Sequence, residues 1–156
     1  MFKIGVEGAM NGKIVVNGED HILGRLSSII AKKLLEGNEV IVVNVEKIVV
    51  SGEKRMVVDA YRKVLGVKVH LSHKWRPKRP RSPIRLFKAS VRGMLPKNNR
   101  KGREALGRLK AFIGVPEEYK SAEMTVFRDA YKDRLKTNKY VELGVIAKEM
   151  GWKGVE

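Results

Sequence analysis

The side chains of this 156-residue sequence that could do chemistry fall into three groups. There are three histidines, a glycine-bearing strand–turn–helix, and a dense run of lysines and arginines. His70 and His73 lie three residues apart, but no cysteine and no tight Asp/Glu cluster joins them or His21. A zinc centre needs three or four ligands, so no metal or other cofactor is expected. The stretch from Val16-Asn17-Gly18 to Gly24 could aim helix N–H groups at a phosphate. The phosphate-loop pattern needs Gly-Lys-Ser/Thr after its spacers, however, and that triplet is absent. So is the dinucleotide fingerprint of three spaced glycines. The stretch therefore reads as a plain βα turn. No Gly-x-Ser-x-Gly elbow is found, and Glu117-Glu118 sits in mixed-charge sequence that reads as solvated surface. Acid–base machinery for an enzyme is not legible, and no small-molecule substrate is expected.

The cations remain. The chain holds 33 Lys+Arg against 17 Asp+Glu, a formal net charge of +16. Residues 1–67 carry 10 basic and 8 acidic side chains, and residues 111–156 carry 8 of each. Residues 68–110 carry 15 basic side chains and one acid, Glu104. An ordinary solvated face mixes both signs. Fifteen cations beside one carboxylate repel one another unless a polyanion neutralises them. RNA, DNA and an anionic membrane surface are the candidates. Four of the five prolines (Pro77, Pro80, Pro83 and Pro96) fall inside or beside this block and interrupt any long amphipathic membrane helix. Apolar runs are only a few residues long, far short of the ~18 of a membrane span. The N-terminal MFKIGVEGAMNGKIVV lacks a signal-peptide layout. The absence of cysteine fits a reducing cytoplasm.

The run Lys74-Trp75-Arg76-Pro77-Lys78-Arg79-Pro80-Arg81 alternates cations with prolines and one indole. Prolines keep such a segment extended, so residues 68–81 read as a basic arm within a single domain spanning 1–156. Trp75 either stacks on an unpaired base or fastens the arm to the body. The candidate nucleic-acid contacts are Lys74, Trp75, Arg76, Lys78, Arg79, Arg81, Arg85, Lys88, Arg92, Lys97, Arg100, Lys101, Arg103, Arg108 and Lys110, with Lys54 and Arg55 as a second tier. Lysine and arginine neutralise phosphates and release counterions, and arginine adds a planar fork suited to phosphate oxygens. No finger ligands, basic zipper or RNA-binding aromatic sheet motif is present. A long, cation-saturated segment on a compact body suits a large folded RNA better than a sequence-specific DNA reader.

These residues need elements to hold them. Lys13–Asn17 and Glu39–Asn44 read as buried strands, and Lys47–Val50 as a third. Between the first two, Leu23, Leu26, Ile30 and Leu34 recur at helical spacing, and Gly37 closes the helix. A helix is predicted from Ser51-Gly52 to Leu65. Alternation of strand and helix implies an α/β layer with parallel pairing. Ser82 as N-cap and Pro83 at the first position start a helix whose apolar stripe is Ile84, Phe87, Val91 and Met94, with Arg85, Lys88 and Arg92 beside it. A further helix is predicted over Asn99–Ile113, its apolar side Leu106, Leu109 and Ile113. A short strand is predicted near Met124–Phe127. Thr137 or Asn138 is the predicted cap of a last helix lined by Leu143, Ile146, Ala147 and Met150, with Trp152 packing back on the body.

The block Val91-Arg92-Gly93-Met94-Leu95-Pro96-Lys97, with Gly102, Ala105-Leu106, Arg108-Leu109-Lys110, Gly114 and Pro116, closely resembles the large-ribosomal-subunit protein L-thirteen family. Leu23-Gly24-Arg25-Leu26-Ser27-Ser28 is similar to the same family's N-terminal motif, and the ending Glu149-Met150-Gly151-Trp152-Lys153 to its archaeal and eukaryotic branch. The resemblance covers about Lys13 to Lys153. It implies a three-layer α/β/α fold with a small, mainly parallel sheet of about four strands, plus the basic arm and C-terminal helices. It also implies a non-enzymatic role in the cytoplasmic large ribosomal subunit, with rRNA as main partner and other large-subunit proteins as neighbours.

Overall fold

A computed structural model of the chain describes residues 12–67 and 79–154. Strands β1 (Lys13–Asn17) and β2 (Glu39–Val43) pair in parallel, from Lys13 opposite Glu39 to Asn17 opposite Val43. Helix α1 (Leu23–Leu35) links them. Leu23, Leu26, Ile30 and Leu34 are all buried, and Gly37 closes the helix at φ 101°, a conformation that costs glycine little. Strand β4 (Leu109–Ala111) adds to β2, and β5 (Met124–Thr125) adds to β1, giving the all-parallel order β4-β2-β1-β5.

Successive strand residues point to opposite faces. Val16, Val40 and Val42 enter the main core with Leu26, Ile30, Leu34, Phe87 and Val91. Val15, Ile41 and Val43 enter a smaller cluster with Tyr119, Phe112 and Met124. β2 is thus buried on both sides, which is why it reads as an unbroken apolar run. The layers are unequal. One face lies under α1, α3 (Pro83–Met94), α4 (Arg100–Gly107) and α6 (Leu143–Glu149); the other is covered by α5 (Glu117–Lys120), a single turn.

Five sequence expectations change. The third strand does not join the parallel sheet. Asn44 adopts a left-handed conformation (φ 55°), and its amide donates to Asn17 Oδ1 at 2.9 Å. Residues Val45–Lys47 then form a 3-10 turn that leads the chain off the sheet. β3 (Val49–Ser51) begins two residues later than predicted and pairs antiparallel with β6 (Tyr140–Glu142) in a separate ribbon. Asparagine is one of the few residues besides glycine that visit this backbone readily, and here Asn17 on the neighbouring strand holds its amide. α2 (Lys54–Gly66) starts after Gly52 rather than at Ser51.

In α3 the inward face is Leu86, Phe87 and Val91, with Ile84 half-buried. Met94, at the helix end, is 43% exposed, and Leu95 fills the core in its place. The helix over 99–113 stops at Gly107: the Arg108 carbonyl accepts from the Val40 N–H, and the Phe112 N–H donates to the Val42 carbonyl. The open edge of β2 thereby converts Leu109–Ala111 into a strand. Neither Thr137 nor Asn138 caps α6; it follows directly from β6, with Glu142 at the cap position. Leu143, Ile146, Ala147 and Met150 are buried as predicted, and Trp152 packs back on the core, its N–H donating to the Ala147 carbonyl at 3.0 Å.

Candidate nucleic-acid interface

Helix α3 is seated by its inward face. Phe87 and Val91 are fully buried, and Ser90 accepts a hydrogen bond from the Ser27 hydroxyl of α1 at 3.0 Å. At 100° per residue, Arg85, Lys88 and Arg92 fall within about 60° of one another, nearly opposite that face. Arg85 and Arg92 are exposed and Lys88 is half-exposed. The helix start is fixed by Pro83 at the first position and by Ser82, whose hydroxyl accepts from the Arg85 N–H at 3.4 Å. No acid stands in the first turn.

The chain then turns sharply into α4. Leu95 is buried, Pro96 and Lys97 are exposed, and Gly102 faces the Pro96 carbonyl so closely that a Cβ there would collide with it. A glycine is therefore required to bring α4 back against α3. The turn sets the exposed Lys97, Arg100, Lys101 and Arg103 in sequence just beyond the α3 stripe. Arg79 and Arg81 are exposed at the N-terminal side of α3, with the Arg81 guanidinium beside Gly151 at the end of α6. Among the described residues, Arg79, Arg81, Arg85, Lys88, Arg92, Lys97, Lys101 and Arg103 form no ion pair. Arg100 pairs with Glu104 one turn on at 2.7 Å, both ends well exposed. Such a pair is worth only about 0.3–0.5 kcal/mol, so it is easily exchanged for a phosphate.

Three other candidates have partners inside the protein. Arg108 is half-buried, and its Nη2 donates to the Leu34 carbonyl at 2.7 Å, tying the end of α4 to the last turn of α1. Its Nε is buried and has no partner among the described residues. Lys110 lies 2.7 Å from Glu39 across the β2–β4 edge; that hydrogen bond holds the Glu39 carboxyl below its usual range and lifts the Lys110 ammonium above its own. Lys54 lies 3.4 Å from one oxygen of Glu149, and Arg62 lies 2.8 Å from the other. Arg55 is exposed without an ion pair among the described residues. Lys74, Trp75, Arg76 and Lys78, and with them most of the arm, lie outside the described residues.

Open parallel sheets commonly bind ligands beyond the carboxyl ends of their strands, where the strand order reverses. Here that place, between β1 and β5, is filled. His21 is fully buried; its Nδ1–H donates to the Glu19 carbonyl at 2.8 Å, and its Nε2 accepts the Phe127 N–H at 3.1 Å. These two bonds select the neutral tautomer, and burial lowers the imidazole pKa. The ring edge meets Tyr131 at 5.5 Å, and the Tyr131 hydroxyl donates to Asp20 at 3.4 Å. His21 is thus a bracket between segments rather than a free base. His70 and His73 lie outside the described residues, and among the described residues no group of three metal-ligating side chains gathers.

The surface built by α3, the α3–α4 turn and α4 lies within the part of the chain that a known protein family matches. The profile of the family described as "Ribosomal protein L13" matches residues 12–118, which takes in β1 through β4 and the start of α5, and so the α3–α4 surface. The large ribosomal subunit protein uL13 of Aeropyrum pernix is 59% identical over 143 residues, covering 91% of this chain and 92% of that one. Its counterpart in Saccharolobus solfataricus is 45% identical over 143 residues, covering 90% and 94%. That of Archaeoglobus fulgidus is 45% identical over 142 residues, covering 90% and 89%. With more than half of the chain inside the profile and near-complete overlap with these relatives, the chain belongs to the ribosomal protein L13 family.

Proposed function

We propose that this chain is a structural, non-catalytic constituent of the large ribosomal subunit in the cytoplasm, binding rRNA through its basic arm and basic helix faces and supporting assembly of the subunit. The observation that carries the reading is the α3–α4 surface: a firmly seated helix whose outward cations have no carboxylate partner among the described residues. Its family membership points the same way, since the relatives are large ribosomal subunit proteins. In this reading the 156 residues act as one unit. The α/β body holds Arg79, Arg81, Arg85, Lys88, Arg92, Lys97, Lys101 and Arg103 in a fixed array, and the arm over 68–81 adds Lys74, Trp75, Arg76 and Lys78 to the contacts. Binding proceeds by phosphate neutralisation and fit to RNA shape, with counterion release as the driving force. Other large-subunit proteins are the remaining neighbours.

Ultraviolet crosslinking in whole cells, followed by identification of the attached nucleic acid, tests this directly. Large-subunit rRNA is the expected product, with crosslinked peptides from α3, α4 and the arm. Crosslinks confined to DNA or to messenger RNA would refute it.

A further inference from the structure

The arrangement that marks α3 recurs on the helix beside it. α3 carries an arginine at its third position, Arg85, and a second cation seven residues on, Arg92. α1 carries Arg25 at its third position and Lys32 seven residues on. Seven residues are two turns, so each pair lies on one side of its helix about 10 Å apart along the axis. All four side chains are exposed. Neither helix has an acid in its first turn, where an acid would complement the helix dipole. An arginine there instead raises the positive potential of the helix start, an arrangement that favours a bound anion. The two helices lie side by side, joined by the Ser27–Ser90 hydrogen bond.

Arg25 and Lys32 also meet no carboxylate among the described residues. The Arg25 guanidinium donates to the Arg134 carbonyl at 3.1 Å. A carbonyl orients the fork without neutralising it. Lys32 has no ion-pair partner among the described residues, whereas the adjacent Lys33 is half-buried and pairs with Glu36 at 3.2 Å. Around Arg25 the outward side chains are short: Gly24 faces open space and Ser28 is small and exposed. A polymer backbone can therefore approach the helix beside Arg25.

We propose that the outer face of α1, through Arg25 and Lys32, is a second phosphate-binding stripe that holds RNA alongside α3. It rests on the rRNA reading above and adds a contact surface to it. Its chemistry is that of backbone neutralisation, since α1 has no aromatic side chain to stack on a base.

The test uses the full chain, large-subunit rRNA transcribed in vitro, and a salt series. If about eight cations meet phosphate, the wild-type log–log slope is roughly −6 to −7. Arg25→Gln with Lys32→Gln should make that slope shallower by about 1–2 and weaken binding at physiological salt by about tenfold. Lys33→Gln should leave both unchanged, and Arg25→Lys, which keeps the charge, should bind nearly as the wild type does. Denaturant midpoints confirm folding, and should the double variant fold poorly, Lys32→Gln alone carries the test through its slope. A double variant with wild-type slope and affinity, beside an Arg85/Lys88/Arg92 triple variant that loses both, would overturn the α1 stripe and leave the rRNA reading standing. A wild-type chain with no salt-dependent affinity for rRNA would overturn the rRNA reading, and the α1 stripe with it.

Discussion

Two basic helices of this protein treat their charge in opposite ways. At the α2–α6 contact, Lys54 and Arg62 close on the two oxygens of Glu149. On α3, Arg85, Lys88 and Arg92 have no carboxylate partner among the described residues. The residue types are the same, and all reach water at least in part, but the first set is spent within the chain and the second is left over. The difference follows from supply. Residues 68–110 bring fifteen cations and one acid, so ion pairing there is nearly exhausted by Arg100 and Glu104. A count of lysines and arginines therefore overstates a polyanion surface wherever acids from distant segments fold back over it.

The comparison breaks most sharply at α3. Replacing Arg85, Lys88 and Arg92 together by Gln should weaken rRNA binding about 10–100-fold at physiological salt and make the salt slope shallower by about 2–3. The thermal midpoint should stay the same or rise slightly, because mutual repulsion is relieved. Filter binding with a parallel melting curve measures both, and a large fall in stability would show that the stripe holds the fold instead.

Acidification separates the fold from the surface in a second way. His21 has a lowered pKa in the folded chain because burial disfavours its charge, so the unfolded chain takes up the proton first. The stability His21 contributes is complete above its unfolded value near 6.5 and is lost as pH falls below it, levelling off once the native pKa is passed. The slope for this one proton is at most about 1.4 kcal/mol per pH unit. Denaturant titrations from pH 8 to 5 should show that loss, and His21→Gln should lack it. His21 is buried away from the α3 stripe, so rRNA affinity of the folded chain should stay nearly level over the same range.

The smallest effect belongs to the paired region. Glu149→Gln removes the shared acid from Lys54 and Arg62, both exposed, and should cost less than about 1 kcal/mol. Chemical denaturation gives the cost. Binding to rRNA should hold or strengthen slightly, and a marked loss would mean that α2 and α6 belong to the contact surface.

Local signals in the sequence were dependable where the physics is local. The Leu23–Leu34 spacing, the glycine stop at Gly37 and the Ser82-Pro83 start all act through neighbours in the chain, and the structure keeps each of them. Non-local pairing produced the differences. Leu106, Leu109 and Ile113 are spaced for a helix, yet the free edge of β2 draws Leu109–Ala111 into the sheet. Arg108 looks like its basic neighbours until the Leu34 carbonyl, far off in sequence, is seen to hold it. Arg25 and Lys32 were hidden for the opposite reason. Residues 1–67 are almost balanced in sign, and only the folded chain shows that Glu36, at the end of α1, pairs with Lys33 and leaves Lys32 without an ion-pair partner among the described residues.

The sheet has a firm side and a soft side. Four helices bear on the firm one, while a single turn around Tyr119 covers the soft one. The cationic stripe rides on the firm side, anchored through Phe87 and Val91. On the proposed reading a docked polynucleotide would pull against the side of the sheet with the larger core, and local opening beneath α5 should leave the grip intact.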